Sequence, residues 1–131
     1  MLVETSVLEA ILLGEPDGRE LLSRINAAER PVTSVVNAVE TAISVGRLIN
    51  DYPLAGRLVV EFLEKAGIEI VGLPSDIYPD VVRAYARYGE ATGHPAGLDL
   101  GDCFSYALSK NMGTPLNHRG GSFAQTDLTK G

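Results

Sequence analysis

The sequence has 131 residues, of which 45% are hydrophobic and 21% are charged, and its net charge at pH 7 is −6. This length and composition predict a single domain that spans residues 1–131. The chain contains no apolar run of about 18 residues, as a bilayer span would need, and no signal-peptide pattern, so we expect a cytoplasmic protein without a membrane partner. The negative charge disfavours non-specific nucleic-acid binding, because Lys and Arg make the phosphate contacts.

Short apolar runs alternate along the chain with segments of helical periodicity. Strands are predicted at 1–3, 31–35, 68–71 and 115–116. Helices are predicted between them, at 7–14, 21–25, 37–49, 53–67, 75–85 and 98–112. Because strands that alternate with helices imply crossover connections, we predict a three-layer α/β/α domain with a short central parallel sheet. Functional sites in such sheets lie outside the carboxyl ends of the strands.

Acidic residues stand at the starts of three predicted helices, and two interpretations of them compete. The pairs Ser6 and Glu9, Asn37 and Glu40, and Asp99 and Asp102 each place an acid three positions after a capping residue. This spacing is typical of a capping box, which is a structural role. Glu4 has no such explanation, since it ends a buried strand, where a carboxylate needs a partner.

The second interpretation is a metal site. Carboxylates that converge on one pocket repel each other unless a hard divalent cation neutralises them, and oxygen ligands suit Mg²⁺ or Mn²⁺. Such a site would support metal-assisted hydrolysis of a phosphodiester. A phosphoacceptor domain of the receiver type also clusters acids at strand ends, but it would need a late lysine, and the segment 115–121 offers only Arg119.

The order of these motifs resembles the PIN-domain toxins of the VapC type over almost the whole chain. The matching pieces are 3–6 (VETS), 34–40 (SVVNAVE), 93–110 (GHPAGLDLGDCFSYALSK) and the end of the chain from Pro115-Leu116 to Phe123 and Thr126-Asp127. The resemblance implies an endoribonuclease that requires Mg²⁺ or Mn²⁺, cuts tRNA or other structured RNA, forms a homodimer and is inhibited by a VapB-type antitoxin. It implies catalytic and metal-binding roles for Glu4, Glu40 and Asp102, with Asp99 as a further metal ligand.

The sequence departs from the family pattern at two places. The family has aspartate at the position of Glu4, and relatives commonly carry one or two acids just before the phenylalanine, where this chain has Gly121 and Ser122. Asp127 and Asp99 are both candidates to replace the missing acid. An active or weakened nuclease and an inactive module that still binds the antitoxin therefore both remain open.

Other polar residues are accessory candidates. Thr5 and Ser6 are expected to hydrogen-bond a metal-bound water or the scissile phosphate, although Ser6 is explained equally well as a helix cap. Arg83, Arg87 and Arg119 are candidate RNA contacts, and each of them taken singly is also explained as a solvated charge.

Overall fold

The computed structural model describes residues 1–128, and within that range four strands alternate with six α-helices. The strands are β1 (Leu2–Val3), β2 (Val32–Ser34), β3 (Glu69–Val71) and β4 (Leu116–Asn117). The helices are α1 (Thr5–Leu12), α2 (Gly18–Ala27), α3 (Val35–Ile49), α4 (Tyr52–Ala66), α5 (Tyr78–Tyr88) and α6 (Leu100–Met112). Short 3₁₀ turns lie at Ser75–Ile77, Glu90–Thr92 and Phe123–Gln125.

The strands form one parallel sheet in the order β3-β2-β1-β4, so the first strand lies inside the sheet. Successive residues of a strand face opposite sides of the sheet, and β1 shows this directly. Leu2 packs into a core cluster built largely from α5 and α6, whereas Val3 packs into a second cluster built from α1 to α4. Helices therefore cover both faces, and the predicted three-layer α/β/α architecture with a short parallel sheet is confirmed.

Two of the three predicted caps are wrong, and the corrections move the helix starts towards the sheet. Glu4 caps α1 by accepting a hydrogen bond from the Ser6 backbone N–H, so Ser6 is inside the helix. Ser34 caps α3 by accepting from the Asn37 N–H at 3.0 Å, and Asn37 is fully buried. Because Glu4 directly follows β1 and Ser34 is the last residue of β2, α1 and α3 begin directly at the carboxyl edge of the sheet.

Helices α3 and α4 pack against each other and leave an apolar surface uncovered. Leu48 is 71% exposed and Val39 is 52% exposed. A groove of about 430 Å³ lies between these helices and the end of α1, and Leu12, Leu48 and Phe62 are among the residues that line it. In residues 1–128, no helix has the length and apolar character needed to cross a membrane.

Candidate active site

A cleft of about 540 Å³ opens at the carboxyl edge of the sheet and is called the acidic cleft below. Its charged lining comes from segments that are far apart in the sequence. The acids are Glu4, Glu9, Glu40, Asp99 and Asp102, and the bases are Arg47 and Arg119. The structure thus brings together all four acids that were predicted as metal ligands. With more carboxylates than guanidinium groups, the cleft has an excess of negative charge.

Glu4 is the most deeply placed of these acids, with 5% of its surface exposed. Its Oε1 atom accepts from the backbone N–H of Ser6 at 3.1 Å and also from the Ser6 hydroxyl. Burial raises the pKa of Glu4, the bonds from Ser6 oppose that shift, and the charges of Glu40 and Glu9 add to it. The partner that this buried acid needed is therefore the first turn of its own helix.

Glu40 lies in α3 and reaches across to the first turn of α6. The Thr5 hydroxyl lies 2.9 Å from its Oε1 atom. A Cβ atom added to Gly101 would lie 2.7 Å from Glu40 Cδ and closer still to Oε2, so the carboxylate rests against the Gly101 backbone. Burial raises the pKa of Glu40, the bond from Thr5 lowers it, and the charges of Asp99 and Glu9 raise it further.

Asp102 and Asp99 close a reciprocal capping box at the start of α6, as the sequence predicted. The Asp102 N–H donates to Asp99 Oδ1 at 2.8 Å, and the Asp99 N–H donates to Asp102 Oδ2 at 3.0 Å. Burial is the largest cause that raises the pKa of Asp102 to about 7, and the charges of Asp99 and Glu4 contribute. At neutral pH this carboxyl is therefore far more costly to ionise than an exposed aspartate.

Between β4 and residue 128, where the described part of the chain ends, no carboxylate lines the cleft. Ser122 lines it, and Gly121 has no side chain to contribute. Arg119 anchors the segment: its N–H donates to the Ser6 hydroxyl at 3.0 Å, and its guanidinium donates to Asp17 Oδ2 at 2.8 Å. The charged end of Arg119 is thus paired with an acid at the start of α2, at the rim of the cleft.

Asp127 does not line the acidic cleft. It lines a cavity of about 620 Å³ between α5 and α6, called the α5–α6 cavity below, together with Arg83, Arg87, Tyr106 and Lys110. Its carboxylate accepts from Lys110 Nζ at 2.7 Å and from the Tyr106 hydroxyl at 2.6 Å. The bond from Lys110 and then that from Tyr106 lower the pKa of Asp127. Arg83 and Arg87 lie beside it, so neither they nor Asp127 line the acidic cleft.

Sequence reasoning missed three residues that shape the acidic cleft. Asn37 lies beneath it: its Oδ1 atom lies 2.9 Å from the Thr5 hydroxyl oxygen and accepts from the Ser105 hydroxyl at 3.0 Å. Gly101 supports Glu40, and Arg47 lines the cleft from α3. The Thr5 hydroxyl is directed at Asn37 and Glu40, and the Ser6 hydroxyl at Glu4, so both are already engaged inside the protein.

The chemistry of the cleft fits a hard divalent cation. Its ligand atoms are carboxylate oxygens, and like charges contribute to the raised pKa values of Glu4, Glu40 and Asp102, which a cation would reverse. Among the 128 described residues, no three His, Cys, Asp or Glu side chains already form a metal cage. Mg²⁺ keeps several waters and commonly takes only one or two carboxylates, so Glu40 and Asp102 fit its needs. Glu4 and Asp99, the other two predicted ligands, line the same cleft.

Comparison with known proteins agrees with this fold. The PIN domain family model matches residues 1–128. A VapC ribonuclease of Mycobacterium bovis is 37% identical, over 98% of this chain and 96% of its own length. The crystal structure of VapC20 from Mycobacterium tuberculosis, described as a sarcin-ricin loop cleaving toxin, gives a TM-score of 0.72 at 15% identity over 99% of this chain and 97% of that one. A toxin-antitoxin complex from Klebsiella pneumoniae gives 0.68 at 16% identity, over 94% and 89%. The chain therefore belongs to the PIN-domain family, in its VapC group.

Proposed function

We propose that this protein is the toxin of a toxin–antitoxin pair and that it hydrolyses RNA phosphodiester bonds in the acidic cleft with Mg²⁺ or Mn²⁺ as cofactor. The substrate class is tRNA or another structured RNA, and the site of action is the cytoplasm. Relatives that share more than a third of its residues are named ribonucleases. The observation that carries the proposal is that Glu40 and Asp102, from helices α3 and α6, line one acidic cleft at the carboxyl edge of the sheet.

Glu40 and Asp102 are the proposed metal ligands, and Asp99, which closes the capping box with Asp102, lines the same cleft as a further candidate ligand. A bound Mg²⁺ would lower the pKa of a water molecule and stabilise the charge that develops on the phosphate. Thr5 orients Glu40 from the buried side of the cleft. Arg47 and Arg119, at the edges of the cleft, supply the positive charge that phosphate contacts need in a protein of net negative charge.

The α5–α6 cavity is a second place where RNA phosphates could make contact. Arg83, Arg87 and Lys110 line it. Lys110 is paired with Asp127, and Arg83 is paired with Asp80 through a short contact along α5. RNA would compete with these exposed pairs, which are individually weak. We therefore place Arg83 and Arg87 in a secondary role, outside the reaction centre.

The proposed partners are a VapB-type antitoxin and a second copy of the chain. The exposed apolar surface of α3 and α4 is suited to bury a partner, and the acidic cleft favours a basic segment beside it. Replacing Leu48 with Glu should weaken capture of the cognate antitoxin or dimerisation, since Leu48 is 71% exposed on this surface. Val82→Glu, at a 53% exposed position on α5, is the matched control.

A specific observation favours a second function, that of a binding module without nuclease activity. Glu4 is engaged as a helix cap, Gly121 and Ser122 supply no carboxylate, and the described acids do not already form a metal cage. Such a protein would retain antitoxin binding through α3 and α4 while its cleft no longer cleaved RNA.

The deciding experiment is cleavage of total tRNA by antitoxin-free protein, with Mg²⁺ and Mn²⁺ in separate reactions and an EDTA blank. Asp102→Asn removes a proposed ligand, and Glu64→Gln removes the charge of an exposed acid on α4 as its matched control. Cleavage that requires metal, survives in the control and is lost in Asp102→Asn supports the nuclease. Equal inactivity of all proteins, with antitoxin binding intact, supports the binding module.

A further inference from the structure

Gly101 is a glycine that its own backbone conformation does not require. It lies in the first turn of α6 and is not among the glycines with positive φ. Glycine is one of the least favourable residues within a helix, so alanine would suit the backbone better. What alanine would meet is the carboxylate of Glu40, with Cδ at 2.7 Å and Oε1 at 2.8 Å from the added Cβ, and Oε2 closer than either.

A hydroxyl group also contacts the Glu40 carboxylate. The Thr5 hydroxyl lies 2.9 Å from Glu40 Oε1 and 2.9 Å from Asn37 Oδ1. Asn37 accepts from the Ser105 hydroxyl at 3.0 Å as well, and Thr5, Asn37 and Ser105 are all buried. Helices α1, α3 and α6 each supply one member of this polar cluster, so the position of the Thr5 side chain is fixed by three elements.

We propose that Gly101 and Thr5 form a seat that fixes the Glu40 carboxylate beside Asp102, and that both are positioning residues of the acidic cleft. The effect of these residues on metal binding rests on the proposed metal-dependent function. Gly101 leaves room for the carboxylate, and the Thr5 hydroxyl orients it. Asp102 follows Gly101 in the chain, and Glu40 and Asp102 both line the acidic cleft.

The seat matters because Mg²⁺ tolerates little error in ligand position. A methyl group at position 101 would displace the end of the Glu40 side chain, which is flexible enough to move without unfolding α6. The expected damage is therefore to the site and not to the fold. Residues that orient metal ligands through a second contact typically change metal affinity by about 10- to 100-fold when they are replaced.

The contact itself is tested without metal, in EDTA, by a double-mutant cycle on the thermal midpoint. The four proteins are wild type, Gly101→Ala, Glu40→Ala and the double variant. In the Glu40→Ala background, Gly101→Ala should raise the Tm. The size of this increase should match that of Gly56→Ala, the control, because a Cβ atom added at this helical glycine would contact nothing within 4 Å. With Glu40 present, that gain should be smaller by about 2 to 4 °C. Equal shifts in the two backgrounds would overturn the proposal.

The effect of the seat on metal affinity is tested by titrating the protein with Mn²⁺ and measuring binding by electron paramagnetic resonance. Gly101→Ala and Thr5→Val should each weaken Mn²⁺ binding by at least about tenfold. Gly56→Ala should bind like wild type, and Thr5→Ser, which keeps the hydroxyl, should stay within about threefold of it. Wild-type affinity in both Gly101→Ala and Thr5→Val would overturn the positioning role. If the wild type itself binds no Mn²⁺, the proposed cofactor is refuted, and the cycle in EDTA still decides whether the seat exists.

Discussion

The acidic cleft and the α5–α6 cavity hold the same kind of side chain in opposite electrostatic states. In the cleft, burial and neighbouring acids raise the pKa of Asp102 to about 7. In the cavity, Lys110 and Tyr106 donate to Asp127 and lower its pKa. Helix α6 joins the two, because Asp102, Tyr106 and Lys110 follow each other at intervals of four residues along one side of it. The comparison shows that a cation would add little electrostatic stabilisation to a carboxylate already paired with a base. A carboxylate surrounded by other acids would be stabilised much more.

The largest expected effect is the loss of metal at Asp102. Asp102→Asn should weaken Mn²⁺ binding by roughly 100-fold, about 3 kcal/mol, because a charged ligand becomes a neutral one. Asp127→Asn should leave the Mn²⁺ dissociation constant unchanged, since Asp127 lines the other cavity. Equilibrium titration of both variants measures this, and equal losses in the two would break the distinction between the regions.

The next effect is on stability against pH in the absence of metal. A native pKa of about 7 for Asp102, above the ordinary value of 3.8, means that the native state binds more protons between these values. The free energy of unfolding should therefore fall as the pH rises from about 4 to 7, and Glu4 and Glu40 shift in the same direction.

Urea unfolding in EDTA at about pH 5 and pH 8 measures this dependence. We expect wild type to lose roughly 1 to 2 kcal/mol more than Asp102→Asn over the interval, a value discounted for solvent screening of the carboxyl. Added Mn²⁺ should restore more stability at the higher pH. Identical pH profiles of the two proteins would contradict the raised pKa.

A smaller effect is a gain of affinity at the missing acid. Ser122 lines the acidic cleft where the family pattern commonly has a carboxylate. Ser122→Asp should tighten Mn²⁺ binding by about 3- to 10-fold, or roughly 1 kcal/mol, by adding an oxygen ligand. Ser23→Asp, at an exposed position on α2, adds the same charge away from the cleft as the control. A similar gain in both would indicate a general charge effect.

The smallest effect is expected in the α5–α6 cavity. Asp127→Asn keeps the shape of the side chain and its bond from Tyr106 but loses the ion pair with Lys110. Since both partners of that pair are about half exposed, the cost to the free energy of unfolding should be about 0.5 kcal/mol. Urea unfolding at low and high salt measures it, and a loss that salt leaves unchanged would argue against an ionic cause.

The alternation of strands and helices was sufficient to predict the layers of the fold, because period and spacing are local properties of the sequence. The capping residues of the helices were harder to predict. Ser6 and Asn37 are both good capping residues, and the pattern does not reveal that the helices begin earlier, where the strands end at Glu4 and Ser34. Only the capping box of Asp99 and Asp102, which has no strand directly before it, was predicted in place.

The acids of the cleft were predictable, but the residues that position them were not. Glu40 and Asp102 stand in motifs with a recognisable spacing. Gly101 has no such signal, since its role comes from a contact with a residue 61 positions earlier, and a single glycine within a predicted helix does not reveal such a contact. Asp127 could not be excluded from the site by spacing, because only the folded chain shows it turned to Lys110 and Tyr106.

The capping box couples the start of α6 to the acidic cleft. The Oδ2 atom of Asp102, a residue that lines the cleft, accepts the Asp99 backbone N–H, so a cation bound by that oxygen would compete with the start of α6 for it. By linkage, an interaction that stabilises this turn would then weaken such binding, and binding would loosen the turn. In that case hydrogen exchange at the Asp99 amide should become faster when a cation binds, with no substrate and no reaction required.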